Sequence, residues 1–269
     1  MTTQPPTEPD IVREAARLLD RAEHEGIVVR VLGGVAVALR AGTAMHQAFR
    51  REIGDIDLAT RARDAKRLTT FLVSEGYTAD RRFNALHGAR RLLFDDELRE
   101  RRIDVLVDRF EMCHAVPFAD RLAVDAQTLP LVELVVMKLQ IVQLNAKDRD
   151  DLYAMLFVHD VGSDDGATIN ANRFAELCAG DWGLYRTVTG NLERLEADLS
   201  AVELSPADAD TIRTRAARLR EAAESRPKPL KWRARARIGD RMRWYEEPEE
   251  VTGPEPGTEQ SLEETGHSA

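Results

Sequence analysis

Three aspartates stand where aspartates are costly. In REIGDIDLAT, residues 51–60, Asp55 and Asp57 interrupt an apolar run that reads as a short strand, and in RRIDVLVD, residues 101–108, Asp104 interrupts Ile103, Val105, Leu106 and Val107. Strand side chains alternate, so Asp55 and Asp57 share one face, about 7 Å apart, while Ile56 and Leu58 share the other. Two anions so placed repel unless both are in water or hold a cation between them. A lone aspartate within a buried strand is costly unless it is paired or coordinating. Hard cations take oxygen ligands, and Mg²⁺ is usually held by a few carboxylates together with substrate phosphates. The trio therefore predicts a Mg²⁺ or Mn²⁺ site on Asp55, Asp57 and Asp104, two ions bridged by the first pair, suited to in-line displacement at phosphorus. That chemistry is phosphoryl or nucleotidyl transfer.

Two further features could serve an anionic substrate. Gly33 and Gly34 close the β-branched run IVVRVLGG before the apolar helix VAVALRAG, 21 residues ahead of Asp55. A glycine pair there lets the backbone approach a ligand and turns amides toward phosphate, although such a pair is more often simply a tight turn. Lys138 lies among Leu134, Val135, Ile141 and Val142 in a chain with 5 lysines and 33 arginines. A phosphate contact competes there with a lysine snorkelling at the core edge. The histidines show no shared spacing.

The elements that must position these residues can be read from periodicity and punctuation. DIVREAARLLDRAEHEG predicts a helix capped by Asp10 and stopped at Gly26, and RDAKRLTTFLVSEG predicts another closed by Gly76. HGARRLLF and RRIDVLVD read as neighbouring strands joined by a DDE turn. LPLVELVVMKLQIVQL, from residue 129, predicts one long apolar helix with Thr128 as cap and Pro130 in its first turn, and KDRDDLYAMLFVHD predicts a second helix or a kinked extension. VGSDDGATIN, residues 161–170, reads as a boundary, after which 171–225 predict two or three helices broken at AGDWG and ELSPAD. The expected organisation is a flexible leader over 1–10, an α/β domain over 11–160, a helical domain over 171–245 and an acidic tail over 246–269.

The composition narrows the class. With 269 residues, 43% of them hydrophobic, the chain can bury a substantial core. No run approaches the length of a membrane span and MTTQPPTEPD lacks the pattern of a signal peptide, so a soluble cytoplasmic protein is expected, with no membrane partner. Cys113 and Cys178 stand far apart, without metal or disulfide spacing. The net charge of −9 is segregated: residues 246–269 carry eight Glu and no Lys or Arg, while 228–243 carry seven basic residues against one acidic. The tail is expected to be disordered. The basic segment, bracketed by Trp232 and Trp244, is a candidate RNA contact.

The order of these motifs, GG at 33–34, DID at 55–57 and RRIDV at 101–105, resembles the nucleotidyltransferase fold of the DNA polymerase β superfamily, a mixed sheet with flanking helices, here followed by a helical domain. Arg51 four residues before Asp55, together with LPLVELVVMKLQIVQLNAKDRDDL, is similar to the AbiEii and MenT group of minimal nucleotidyltransferases, known as toxins of toxin–antitoxin pairs. The resemblance covers about residues 10–160. It implies metal binding by Asp55 and Asp57, completed by Asp104, and an NTP substrate contacted by Gly33, Gly34, Arg51 and Lys138, with Lys147, Asp148 and Asp151 near the nucleotide. For Lys147, Asp148 and Asp151 a solvated helix start is nearly as good a reading. Val35 follows the glycines where relatives carry a hydroxyl, and Ile53 stands where they often carry Thr. The resemblance further implies transfer of NMP to an acceptor hydroxyl, on RNA or tRNA, and a cognate antitoxin. A small-molecule (aminoglycoside-type) nucleotidyltransferase, and a catalytically silent binding or antitoxin module, stay open beside it.

Overall fold

The structure, a computed structural model, describes residues 7–247. The expectations for residues 1–6 of the leader and 248–269 of the tail lie outside the described residues. In chain order the elements are α1 (Ile11–His24), β1 (Val29–Leu32), α2 (Gly33–Ala41), β2 (Asp55–Thr60), α3 (Ala62–Ser74), β3 (Thr78–Ala79), α4 (Arg81–His87), β4 (Arg91–Asp96) and β5 (Arg101–Val107). They continue with β6 (Arg109–Glu111), β7 (Ala115–Pro117), α5 (Leu131–Leu139), α6 (Ala146–Val158), β8 (Val161–Gly162), β9 (Ile169–Asn170), α7 (Ala171–Gly180), α8 (Trp182–Asp198), α9 (Pro206–Ser225) and α10 (Leu230–Ile238).

The protein is a mixed α/β fold around a five-stranded sheet of order β1-β2-β5-β4-β3, in which β2 and β5 run parallel and the other pairs antiparallel. Alternation along the strands divides it. Ile56, Leu58, Ile103, Val105 and Phe94 are fully or almost fully buried, whereas Asp55, Asp57, Asp104 and Arg91 share the opposite, more open face. Phe174, Val188, Leu192 and Leu219 from α7, α8 and α9 join the same apolar cluster as Ile56 and Ile103. No helix among the described residues is long and apolar enough to cross a membrane.

Local signals account for most helix ends. The Asp10 side chain accepts the Arg13 amide at the start of α1, and Asn145, Asn170, Asp181 and Ser205 cap α6, α7, α8 and α9 in the same manner. Gly26 takes φ +65° just beyond α1. Elsewhere the structure corrects the sequence reading. Thr128 is not a cap; its hydroxyl donates to the Leu129 carbonyl, while Gln127 to Leu129 pair alongside β1. The apolar helix stops at Leu139, short of Leu144, because Asn191 of α8 donates to the carbonyls of Leu139 and Ile141 and so satisfies its C-terminal end. The expected DDE turn starts later, at Glu97: Asp95 and Asp96 remain in β4, where Arg101 neutralises the buried Asp96. Helix α4 and the β6–β7 hairpin, both absent from the sequence reading, form the outer rim of the open face, and the loop read as a boundary contains the short β8–β9 pair.

Helix α5 is held from below by charge. Glu133 is fully buried and accepts from Arg121 at 2.8 Å and Arg173 at 3.2 Å, while Arg121 also reaches Asp165 at 2.7 Å. Removing the carboxylate would leave two guanidinium groups facing each other around an apolar helix. Glu133→Ala is therefore expected to destabilise the protein by about 3 kcal/mol in urea unfolding. A change within about 0.5 kcal/mol would show that the arginines simply turn to water.

Candidate active site

Parallel pairing of β2 with β5 sets Asp57 directly beside Asp104, with Leu32, the last residue of β1, on the other flank of Asp57. Neighbouring strands lie about 4.8 Å apart, so the two carboxylates share one local field. Burial first, then the charge of Asp104, push the Asp57 carboxyl up to about 7. Asp104 is clamped by Arg91 of β4: the guanidinium Nε lies 2.8 and 2.9 Å from its two oxygens and Nη2 lies 2.5 Å from Oδ2. Arg91 also lies over the Phe83 ring at 5.9 Å.

The glycine pair serves two close approaches. Gly33 has φ +66°, and a Cβ there would stand 1.8 Å from Asp57 Oδ2, so the carboxylate occupies the space a side chain would need. A Cβ on Gly34 would stand 2.6 Å from Arg51 Nη2. Arg51 in turn binds both oxygens of Asp151, at 2.9 and 2.7 Å. Lys138, almost buried on the last turn of α5, reaches Asp151 at 2.6 Å and Asp148 at 2.9 Å. Burial opposes its charge, but Asp151 and Asp148 together hold its pKa above the ordinary value. The motif residues thus form two connected groups, Gly33–Asp57–Asp104–Arg91 and Gly34–Arg51–Asp151–Lys138–Asp148.

A cavity of about 740 Å³ opens over this array, and Gly33, Asp57, Asp104, Lys138 and Asp148 all line it. Gly34, Arg51 and Asp151 stand behind that lining as support. Asp55 is exposed at the start of β2, in register with Arg102, and lines a separate open groove with Asp95, Asp96, Glu97, Glu100, Arg101 and Arg102. Lys147 is exposed in the first turn of α6 and is not among the described residues lining the cavity. Arg91 is the residue the sequence reading missed. It sits opposite Leu106, diagonal to Asp104, a relation that exists only once the β4–β5 register is known.

The donor set suits a hard divalent cation. Asp57 and Asp104 offer oxygen side by side, in a cradle that a Cβ on Gly33 would fill. Among the described residues no group of three or more acidic, histidine or cysteine side chains could by itself hold a metal ion. A cation here would take the two carboxylates and complete its shell with water or ligand oxygen, as Mg²⁺ commonly does.

Two outcomes test this geometry. Gly33→Ala combines positive φ with the clash against Asp57, whereas Gly26→Ala, at φ +65°, meets nothing within 4 Å. The Gly26 change should cost about 1 kcal/mol and the Gly33 change about 3 kcal/mol or more in urea unfolding; equal costs would refute the close approach. In metal-free buffer, folded Asp57 keeps a proton that the unfolded chain releases near pH 4. The proton excess of the folded state makes stability fall as pH rises from about 4 to about 7. Asp57→Asn should match the native protein near pH 4 and exceed its stability by about 4 kcal/mol at pH 8; parallel pH profiles would contradict the raised value. Neither the protein-family models nor the curated proteins contain a match to this sequence.

Proposed function

We propose that this protein is a Mg²⁺- or Mn²⁺-dependent nucleotidyltransferase of the polymerase β-like fold, moving a nucleoside monophosphate from an NTP to an acceptor hydroxyl. The observation that carries this reading is the placement of Asp57 beside Asp104, over the Gly33 turn and at the wall of a cavity that also includes Lys138. The mixed sheet, with the glycine turn leaving its first strand and the acidic residues on the next two in register, supports the nucleotidyltransferase fold.

In the proposed reaction the acceptor hydroxyl releases its proton to solvent water as its oxygen forms a bond to the α-phosphorus, the bond from that phosphorus to the bridging oxygen breaks, and pyrophosphate leaves with the electron pair. Asp57 and Asp104 are the residues that would hold the cation, whose chemistry is to neutralise the phosphate oxygens and favour the deprotonated acceptor. Arg91 orients Asp104 through its hydrogen bonds to both carboxylate oxygens. Asp55, on the same face one pleat earlier, is the third carboxylate of the reading, and it adds negative charge at the strand entrance. Lys138 offers its ammonium to phosphate from the cavity wall, sharing it with Asp148 and Asp151.

An RNA acceptor, tRNA included, is supported by Lys231, Arg233, Arg237 and Arg241, which are exposed on α10 and the turn after it. Trp232 and Trp244 are spent otherwise: their indoles donate to the Cys178 carbonyl at 3.0 Å and to Thr187 Oγ1 at 3.1 Å. A cognate antitoxin remains part of the proposal through the resemblance alone.

Incubating the protein with each α-labelled NTP, Mg²⁺ or Mn²⁺ and total tRNA should give a labelled macromolecule. Asp57→Asn and Asp104→Asn should each lower the rate by about 100-fold or more with circular dichroism unchanged. Labelling that persists in both variants, or none with any NTP and any RNA, protein or small-molecule pool, would reject the assignment.

A further inference from the structure

The cavity has one wall that comes from far along the chain. After α10 the backbone returns along α8 and crosses to the β6–β7 hairpin, and Glu246 and Glu247 line the same cavity as Asp57, Asp104 and Lys138. Two hydrogen bonds and a seat fix this path. The Trp244 indole donates to Thr187 Oγ1, which is also bonded to His114 Nε2 at 2.8 Å. The Glu246 amide donates to the Cys113 carbonyl at 3.0 Å. Gly183 lies so close beneath that a Cβ on it would stand 2.3 Å from the Trp244 carbonyl oxygen. Edge-on packing of Trp182 against Trp244 and the Arg186 guanidinium over the Trp244 ring complete the anchor.

The receiving surface is equally fixed. Gln140, just past the end of α5, accepts the His114 amide at 2.7 Å, tying the hairpin tip to the helix that carries Lys138. The anchored segment thus delivers two exposed carboxylates to the edge of a cavity whose basic groups already hold acids, Lys138 with Asp148, Arg91 with Asp104, and Arg90 and Arg109 with Glu111, so that an arriving anion must compete for them. A segment anchored by an aromatic side chain and a backbone hydrogen bond, yet ending in two exposed glutamates, Glu246 and the Glu247 that also pairs with Arg243, offers the cavity what an anionic ligand would offer it.

We propose that residues 244–247 are an autoinhibitory strap whose glutamates occupy the mouth of the cavity and oppose entry of a polyphosphate until the strap is displaced. The proposal rests on reading the cavity as a polyphosphate site, and it adds regulation to that site. Repulsion from two exposed carboxylates acts within a Debye length of about 10 Å at 0.1 M salt and fades at 1 M.

Binding of inorganic tripolyphosphate to the full chain, measured by calorimetry at low and high salt, tests it with two variants. Glu246→Gln with Glu247→Gln removes the charge and leaves the anchor, while Gly183→Ala pushes the Trp244 backbone off its seat. Both should bind tripolyphosphate about fivefold tighter than the native chain at low salt; the gain should vanish at high salt for the glutamine pair and persist for Gly183→Ala. Affinity unchanged or weakened in either variant, or no tripolyphosphate binding by any of the three proteins, overturns the strap. NMP transfer measured on the same preparations separates the two ideas: strap-dependent binding without transfer to any acceptor would reject the proposed reaction and leave the strap standing.

Discussion

The parallel pairing of β2 with β5 is the constraint around which the rest of the protein is arranged. It places Asp57 against Asp104 on one face of the sheet while Ile56 and Ile103 pair on the other, so the site and the core are fixed by the same hydrogen-bond register. Slipping β2 by one residue against β5 would turn Asp57 into the core and Ile56 toward the open face while Asp104 stayed where it is. Side-by-side anions are unfavourable in themselves. The structure meets the cost in three ways: Arg91 takes one carboxylate, Gly33 gives the other room over a turn, and Lys138 adds positive charge near Asp57.

Arginine is the instrument of this arrangement well beyond the site. Glu14 is fully buried and is held by Arg17 and the Tyr77 hydroxyl, Glu75 by Arg17 and Arg21, Glu133 by Arg121 and Arg173, Asp96 by Arg101 and Asp151 by Arg51. A planar guanidinium can bond two carboxylate oxygens at once and keeps its charge under burial, which a lysine ammonium does less well. Against that background Lys138 stands out as a point charge, near the cavity and shared between two carboxylates. Such a group can shift its hydrogen bonds toward an arriving anion with small movement, because an ammonium has no preferred plane.

The aromatic residues of the C-terminal part bind it to the remainder. Arg235 stacks on Trp182 at 4.4 Å and donates to the carbonyls of Gly239, Met242 and Arg243, and Trp232 meets Tyr185 edge-on at 5.2 Å. Part of the basic composition of 228–243 is thereby consumed in closing its own turn. The remainder stays on the surface, and the same closure sets the direction in which the chain runs toward the cavity.

The sequence by itself determined the local pieces: the capped helices, the alternating strands, the glycine turn, and the fact that Asp55, Asp57 and Asp104 sit at costly positions. These follow from periodicity and from the expense of burying polar groups, both of which act over a few residues. Only the tertiary structure decided that Arg91 belongs to Asp104, that the glycines admit Asp57 and Arg51, that Asn191 ends α5, and that Glu246 and Glu247 border the cavity. Each of those relations joins residues distant in sequence or on different strands, through strand register or helix packing, and no local pattern encodes the partner. Asp55 shows the boundary between the two kinds of knowledge. Its face was fixed by the two-residue period of the strand, whereas its exposure, beside Arg102 and apart from the main cavity, was fixed by where the sheet ends.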